Sequence, residues 1–130
     1  MKQNRYFAEK EFECKCGCGT MPSGQPNDEL VDILCEIREH FGKPLFIKSG
    51  YRCAEHNARV GGAPKSRHVV GDAVDFTIKD VKTIDVFDFV ASKYENYGIA
   101  RKILQNYPYR GFVHFDTRGK KARWKYSGSL

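Results

Sequence analysis

Apolar residues recur at helical spacing between residues 28 and 41. Leu30, Ile33, Leu34, Ile37 and Phe41 fall on one side of a 3.6-residue repeat, with charged residues between them. Asn27 or Asp28 supplies an N-cap oxygen, and Gly42 suits the left-handed residue that ends a helix, so the pattern predicts a helix over 28–41. A second helical face, Val86, Phe87, Val90 and Tyr94, predicts a helix over 83–95. Elsewhere the pattern shortens. Pro44–Ser49 is a brief apolar run, Ala73–Ile78 alternates and Gly111–Thr117 is β-rich, so all three read as strands. Ala122–Tyr126 reads as a hairpin partner of the last strand, joined through Arg118-Gly119. Residues 54–60 predict a short helix, the following GGAPKSRH a loop, and Ile99–Leu104 fits either period. Residues 1–27 are turn-rich and end in the loop MPSGQPN. There is no internal repeat and no regular βαβ alternation. The expected architecture is a single α+β domain over residues 1–130, with two principal helices and a small, mainly antiparallel sheet.

Length and composition agree with one folded unit. A chain of 130 residues with 41% hydrophobic residues can bury one core but not two. No apolar run approaches the roughly 20 residues that span a bilayer. The N-terminus, MKQNRYFAEKEF, lacks the apolar stretch of a signal peptide. The chain is therefore expected to be made as a soluble protein without membrane contact and to act as a monomer.

The charge is +6, and Arg118, Lys120, Lys121, Arg123 and Lys125 concentrate it near the C-terminus. Two readings fit: a polyanion-binding stretch, or an edge strand kept soluble by its cations. Nucleic acid is not an expected partner, because no helix combines clustered basic residues with polar base-readers.

The five cysteines are Cys14, Cys16 and Cys18 in a C-x-C-x-C run, with Cys35 and Cys53 apart. An odd number does not make a fully paired disulfide scaffold. Structural zinc sites favour C-x₂₋₄-C spacing, which C-x-C fits poorly. Buried thiols, or one disulfide to Cys53, suit the run better.

Two segments carry metal-binding chemistry. In Ser66–Phe76 (SRHVVGDAVDF), a turn at Gly71 can fold His68 back toward Asp75, which lies in an otherwise apolar strand. A carboxylate there is costly to bury unless it is paired or bound to a metal. In GFVHFDTR, His114 and Asp116 are two apart and share one strand face, while Val113 and Phe115 enter the core from the other. Two histidines and one aspartate make three ligands, the number a catalytic zinc uses while keeping a fourth position open.

Together, S-x-H-x-x-G-x-A-x-D-F and V-H-x-D resemble the zinc D-alanyl-D-alanine carboxypeptidase family, in its branch of small peptidoglycan-cutting enzymes. The stretches SGYRCAEHN at 49–57 and VGGAPKSRH at 60–68 add to the likeness, and EFECKCGCG resembles the opening of small phage and bacterial members. The resemblance implies a hedgehog/DD-peptidase-like fold and Zn²⁺ held by His68, Asp75 and His114. It implies a peptidoglycan stem peptide as partner, and an endolysin-like role on the cell wall, with a phage or prophage source as one route of access. It also implies that Arg52 faces substrate, gripping a carboxylate or polarising the scissile carbonyl, and that Ser66 lies near substrate. One departure stands out. Relatives carry a Glu or His as general base shortly before the last histidine ligand, yet residues 106–112 (NYPYRGF) contain neither. Asp116 is the nearest carboxylate, and is expected to act either as the base or as a partner that orients a ligand. Tyr107 or Tyr109 is a further candidate, for stabilising the oxyanion. His40 and His56 are expected at the surface. The competing activities are a lysin-type endopeptidase and a zinc-bearing wall-binding module without catalysis.

Overall fold

A computed structural model describes all residues, 1–130. Five strands form one sheet in the order β1-β2-β4-β3-β5: β1 (Leu45–Ser49), β2 (Ala73–Ile78), β3 (Gly98–Leu104), β4 (Tyr107–Asp116) and β5 (Ala122–Lys125). The helices are α1 (Asp28–Phe41), α2 (Ala54–Arg59), α3 (Arg67–Val70) and α4 (Thr83–Lys93), after a short 3₁₀ turn at Glu9–Phe12. This is the expected α+β architecture with a mainly antiparallel sheet. No helix is long and apolar enough to cross a membrane.

Each long helix buries one stripe, and α1 carries its own start and stop. Asn27 caps α1 by accepting from Leu30 N at 2.8 Å, and Gly42 ends it in the left-handed region at φ 63°. Its buried residues Leu30, Val31, Ile33, Leu34 and Ile37 join Val86, Phe87 and Val90 of α4 in one core. The sheet closes that core with Val74, Phe76, Ile78, Ile99, Val113 and Phe115. Strand side chains alternate, so the intervening residues Asp75, Ala100 and His114 face away from both helices. The polar site therefore sits on the sheet face that the long helices leave free.

Two expectations change. Residues 122–125 are a strand, but not the hairpin partner of β4. They pair in parallel with β3, in register Gly98↔Ala122 to Arg101↔Lys125. The cause is that β4 is already flanked by β2 and β3, so the returning chain must cross to the next free edge. Residues 99–104, of ambiguous period, supply that intervening strand. The second change concerns His68, which lies on the single helical turn α3 and not in a loop. Ser66 caps this turn through His68 N at 3.2 Å, and Gly71 stops it at φ 93°. A Ser-x-His followed by Gly is thus a one-turn helix with its own start and stop.

The basic C-terminal stretch is the outer edge of the sheet. Arg123 is turned inward there, donating to the carbonyl oxygens of Tyr94 at 2.8 Å and Tyr97 at 2.6 Å just after α4. A cation suits that end of a helix. Lys120, Lys121 and Lys125 stay exposed, as a solvated edge requires.

Leu34 has no exposed surface. Leu34→Ala is expected to lower unfolding free energy by about 2–5 kcal/mol through lost burial and the cavity left behind. Equilibrium denaturant unfolding measures it, and a loss under about 1 kcal/mol would contradict this packing of α1.

Candidate metal centre

The site is a row across the sheet. The registers Ser49↔Asp75, Asp75↔His114, His114↔Ala100 and Ala100↔Trp124 align five residues on five neighbouring strands. A register shift between Ile47 and Ser49 brings Ser49 into that row. Ala100, small and buried, leaves room for the rings of His114 and Trp124 to approach to 5.1 Å between centroids.

His68, Asp75 and His114 are all buried, and their ligand atoms lie within 4.8 Å of one another. Hydrogen bonding decides which atoms those are. His68 Nδ1 lies 2.7 Å from Gly50 O, a carbonyl that can only accept, so Nδ1 carries the proton and donates. Its Nε2 then presents a lone pair toward Asp75 Oδ1 at 3.1 Å. His114 Nε2 donates to Asp116 Oδ2 at 2.7 Å, so its Nδ1 likewise faces Asp75 Oδ1, at 3.0 Å. Three lone pairs converge on one point. Such a point needs a cation, either a proton or a metal. Ligand atoms of a tetrahedral centre with bonds of about 2.0–2.1 Å lie about 3.3–3.4 Å apart, so the donor set fits a metal with little movement.

The charges around this point reinforce one another. Burial opposes ionisation of Asp75, but when protons fill the shared point, hydrogen bonds from His114 and then His68 outweigh it and hold the carboxyl far below its ordinary range. Asp116 behaves alike: burial is overcome first by Arg118, whose Nε and Nη2 reach its two oxygens at 2.8 Å each, and then by His114. His114 is disfavoured as a cation by burial, yet Asp116 and Asp75 raise its pKa. Asp116 thus supports the outer nitrogen of His114, as carboxylates do behind metal-bound imidazoles. Gly98 across the strand pair makes room for it, since a Cβ there would come within 2.3 Å of Asp116 Oδ1.

A cleft of about 440 Å³ opens over His68 and His114. The α2–α3 loop contributes Gly61, Gly62, Ala63 and Lys65, and the sheet side contributes Arg118, Trp124 and Tyr126. Four cations line it, Arg52, Lys65, Arg67 and Arg118, and no carboxylate does. Arg67 is paired with Asp72 and Arg118 with Asp116, whereas Lys65 makes no ion pair. Arg52 is held by Ser49 Oγ, Asn57 Oδ1 and Asp75 Oδ2, at 3.2, 3.2 and 3.4 Å. Three of its five N–H donors are used in this way. Ser66 both caps α3 and lines the cleft.

Not every expected residue is here. Tyr107 and Tyr109 lie at the far end of β4, 54% and 53% exposed, and do not line the cleft. Arg118, Trp124 and Tyr126 do, and sequence reasoning passed over them as site residues. The signal was available: Trp124 and Tyr126 are two apart in a strand and share one face. His40 is exposed, stacked on Phe89, and His56 is half-buried outside the cleft. The cysteine run meets Cys53, as the disulfide reading required, but no disulfide is formed. All five cysteines are free thiols, and Cys14, Cys16, Cys18 and Cys53 draw together with their sulfurs within 4.8 Å.

The arrangement of Asp116 behind His114 predicts that Asp116→Asn weakens metal binding at this centre by about 10–100-fold. Competition against a chelator measures it, and unchanged affinity would contradict the supporting role. His68→Ala should abolish metal retention here altogether.

No curated protein matches this chain significantly. The family model for peptidase M15 matches residues 5–116, which takes in the N-terminal segment, both motif stretches and all three candidate ligands. By its sequence over nearly its whole length, the chain belongs to the peptidase M15 family of metallopeptidases.

Proposed function

We propose that this protein is a zinc-dependent peptidase that hydrolyses D-amino-acid-containing stem peptides of bacterial peptidoglycan. The observation that carries the reading is the convergence of three lone pairs, from His68 Nε2, Asp75 Oδ1 and His114 Nδ1, beneath a cleft lined by cations. Two nitrogens and one carboxylate oxygen suit zinc, and three protein ligands leave a position for chemistry. When bound, zinc supplies a Lewis acid and activates water for attack on a peptide carbonyl.

The chain's own residues account for binding and orientation. Stem peptides carry free carboxylates, and the cleft offers them Arg52 and the unpaired Lys65. This favours a carboxypeptidase, which must hold the terminal carboxylate of its substrate. Ser49, Asn57 and Asp75 fix the Arg52 fork, so little side-chain freedom is lost when substrate binds. Asp116 is a positioning residue: it is fully buried behind His114 and does not line the cleft, so it holds the imidazole in the metal-binding tautomer. Tyr126 takes the place first considered for Tyr107 and Tyr109. Burial, with the charge of Asp75, raises its pKa and keeps the phenol protonated, ready to donate to a developing oxyanion.

Zinc-loaded protein incubated with purified peptidoglycan is expected to release terminal D-amino acid, read as a mass loss from the stem peptides. Products cut within cross-links would replace the carboxypeptidase reading with the endopeptidase one, and no product from any stem peptide would remove the proposal. Arg52→Ala should lose most activity while retaining fold and metal, and Arg52→Lys should recover little, because Lys lacks the planar fork. Tyr126→Phe should lower kcat by about 10²-fold, the usual cost of one oxyanion donor. A fully active Arg52→Ala or Tyr126→Phe enzyme would remove that residue from the mechanism.

A further inference from the structure

The segment from Glu13 to Thr20 has no helix or strand, and only Cys14 in it is buried. A stretch this exposed contributes almost nothing to the hydrophobic core. It is nevertheless folded tightly: Gly17 N donates to Cys14 O at 3.2 Å, and Gly17 and Gly19 both take positive φ, 80° and 71°. Gly17 bends the chain between Cys16 and Cys18, and Gly19 turns it just after Cys18. They bring thiols that an extended C-x-C-x-C would string out, about 6–7 Å apart at the Cα, to one place.

The fourth thiol arrives from elsewhere in the fold. Cys53 caps α2, with its Sγ accepting from His56 N at 3.4 Å, and Cys53 N donates in turn to Cys14 Sγ at 3.4 Å. The sulfur separations are 3.3 Å for Cys14–Cys16, 3.8 Å for Cys14–Cys53 and 3.7 Å for Cys16–Cys53. Cys18 completes the group within 4.8 Å. Four sulfurs around zinc at about 2.3 Å sit at the corners of a tetrahedron with edges of about 3.8 Å. These separations resemble that tetrahedron, and the N–H···S bonds are of the kind that stabilise thiolates.

We propose that Cys14, Cys16, Cys18 and Cys53 bind a second, structural zinc ion, separate from the His68–Asp75–His114 centre. Four thiolates close the coordination sphere, so this ion has no open position and takes no part in hydrolysis. Its work is to fasten the N-terminal segment to the loop after β1. That loop carries two groups the cleft depends on: Arg52, adjacent to Cys53, and Gly50, whose carbonyl orients His68. Tyr51 N donates to Phe12 O at 2.8 Å in the same junction. The zinc thus supplies the holding force that this small, exposed segment lacks in apolar contacts. Binding displaces the thiol protons, and no oxidation or reduction is involved.

The proposal does not rest on the peptidase reading, and metal counting tests it without an activity assay. Protein purified under reducing conditions from zinc-supplemented medium is expected to hold two zinc ions per chain by elemental mass spectrometry. A His68→Ala/His114→Ala variant should keep one. Cys16→Ser/Cys18→Ser, which changes two exposed side chains, should also keep one. Cobalt loaded into the histidine variant should show intense thiolate-to-cobalt charge-transfer absorption, lost on adding the cysteine changes. A histidine variant with no metal, or thiol titration of the native protein showing a disulfide among the four cysteines, would overturn the site. So would a cysteine variant that still holds two zinc ions.

Discussion

Two hydrogen bonds on the outer side of the candidate metal centre set which ring nitrogens face Asp75. Gly50 O accepts a hydrogen bond from His68 Nδ1, and Asp116 Oδ2 accepts one from His114 Nε2. Without them each imidazole could turn its N–H toward Asp75 and satisfy it as an ordinary buried carboxylate. With them, both inner nitrogens present lone pairs to an anion, an arrangement that a cation must complete. Much of the surrounding structure serves these two acceptors. Gly98 clears space for the Asp116 carboxylate, and Arg118 neutralises it from outside. The backbone of Phe12 packs against Gly50, where an added Cβ would come within 2.6 Å of Phe12 O.

The sheet supplies the alignment. Strand pairing places Ser49, Asp75, His114, Ala100 and Trp124 in one row, so the ligand from β2 and the ligand from β4 are fixed to each other by backbone hydrogen bonds. His68 alone comes from outside the sheet, on a one-turn helix defined by Ser66 and Gly71. The same alternation that buries Val74, Phe76, Val113 and Phe115 under α1 and α4 turns the polar residues to the opposite face. Core and site are therefore two sides of one pattern, and a register slip of one residue would exchange them.

That shared pattern explains how much of the protein was legible in its sequence. The helix over 28–41 and the strands around Asp75 and His114 followed from period and capping alone. The pairing of His114 with Asp116 on one face followed from the two-residue repeat. What stayed hidden depends on strand order, which no local period encodes. The edge strand Ala122–Lys125 reads like a hairpin partner for β4, and only the occupied flanks of β4 send it to β3. Trp124 and Tyr126 were missed in the cleft for the same reason, since their distance from His114 is set by a strand lying between. A link between the run and Cys53 was legible as a disulfide, but the gathering of all four thiols was obscured by spacing: ligand rules learned on C-x₂₋₄-C do not anticipate a glycine such as Gly17 folding a C-x-C in place. His68 was expected in a loop because a single helical turn is too short to show a period.

The central claim is that the inner nitrogens, and not the outer ones, hold the catalytic metal. Anomalous diffraction at the zinc edge from crystals of the zinc-loaded protein tests it most directly. The account predicts a peak about 2.0–2.2 Å from His68 Nε2, Asp75 Oδ1 and His114 Nδ1. A peak between His114 Nε2 and Asp116, or none near these three residues, would contradict it.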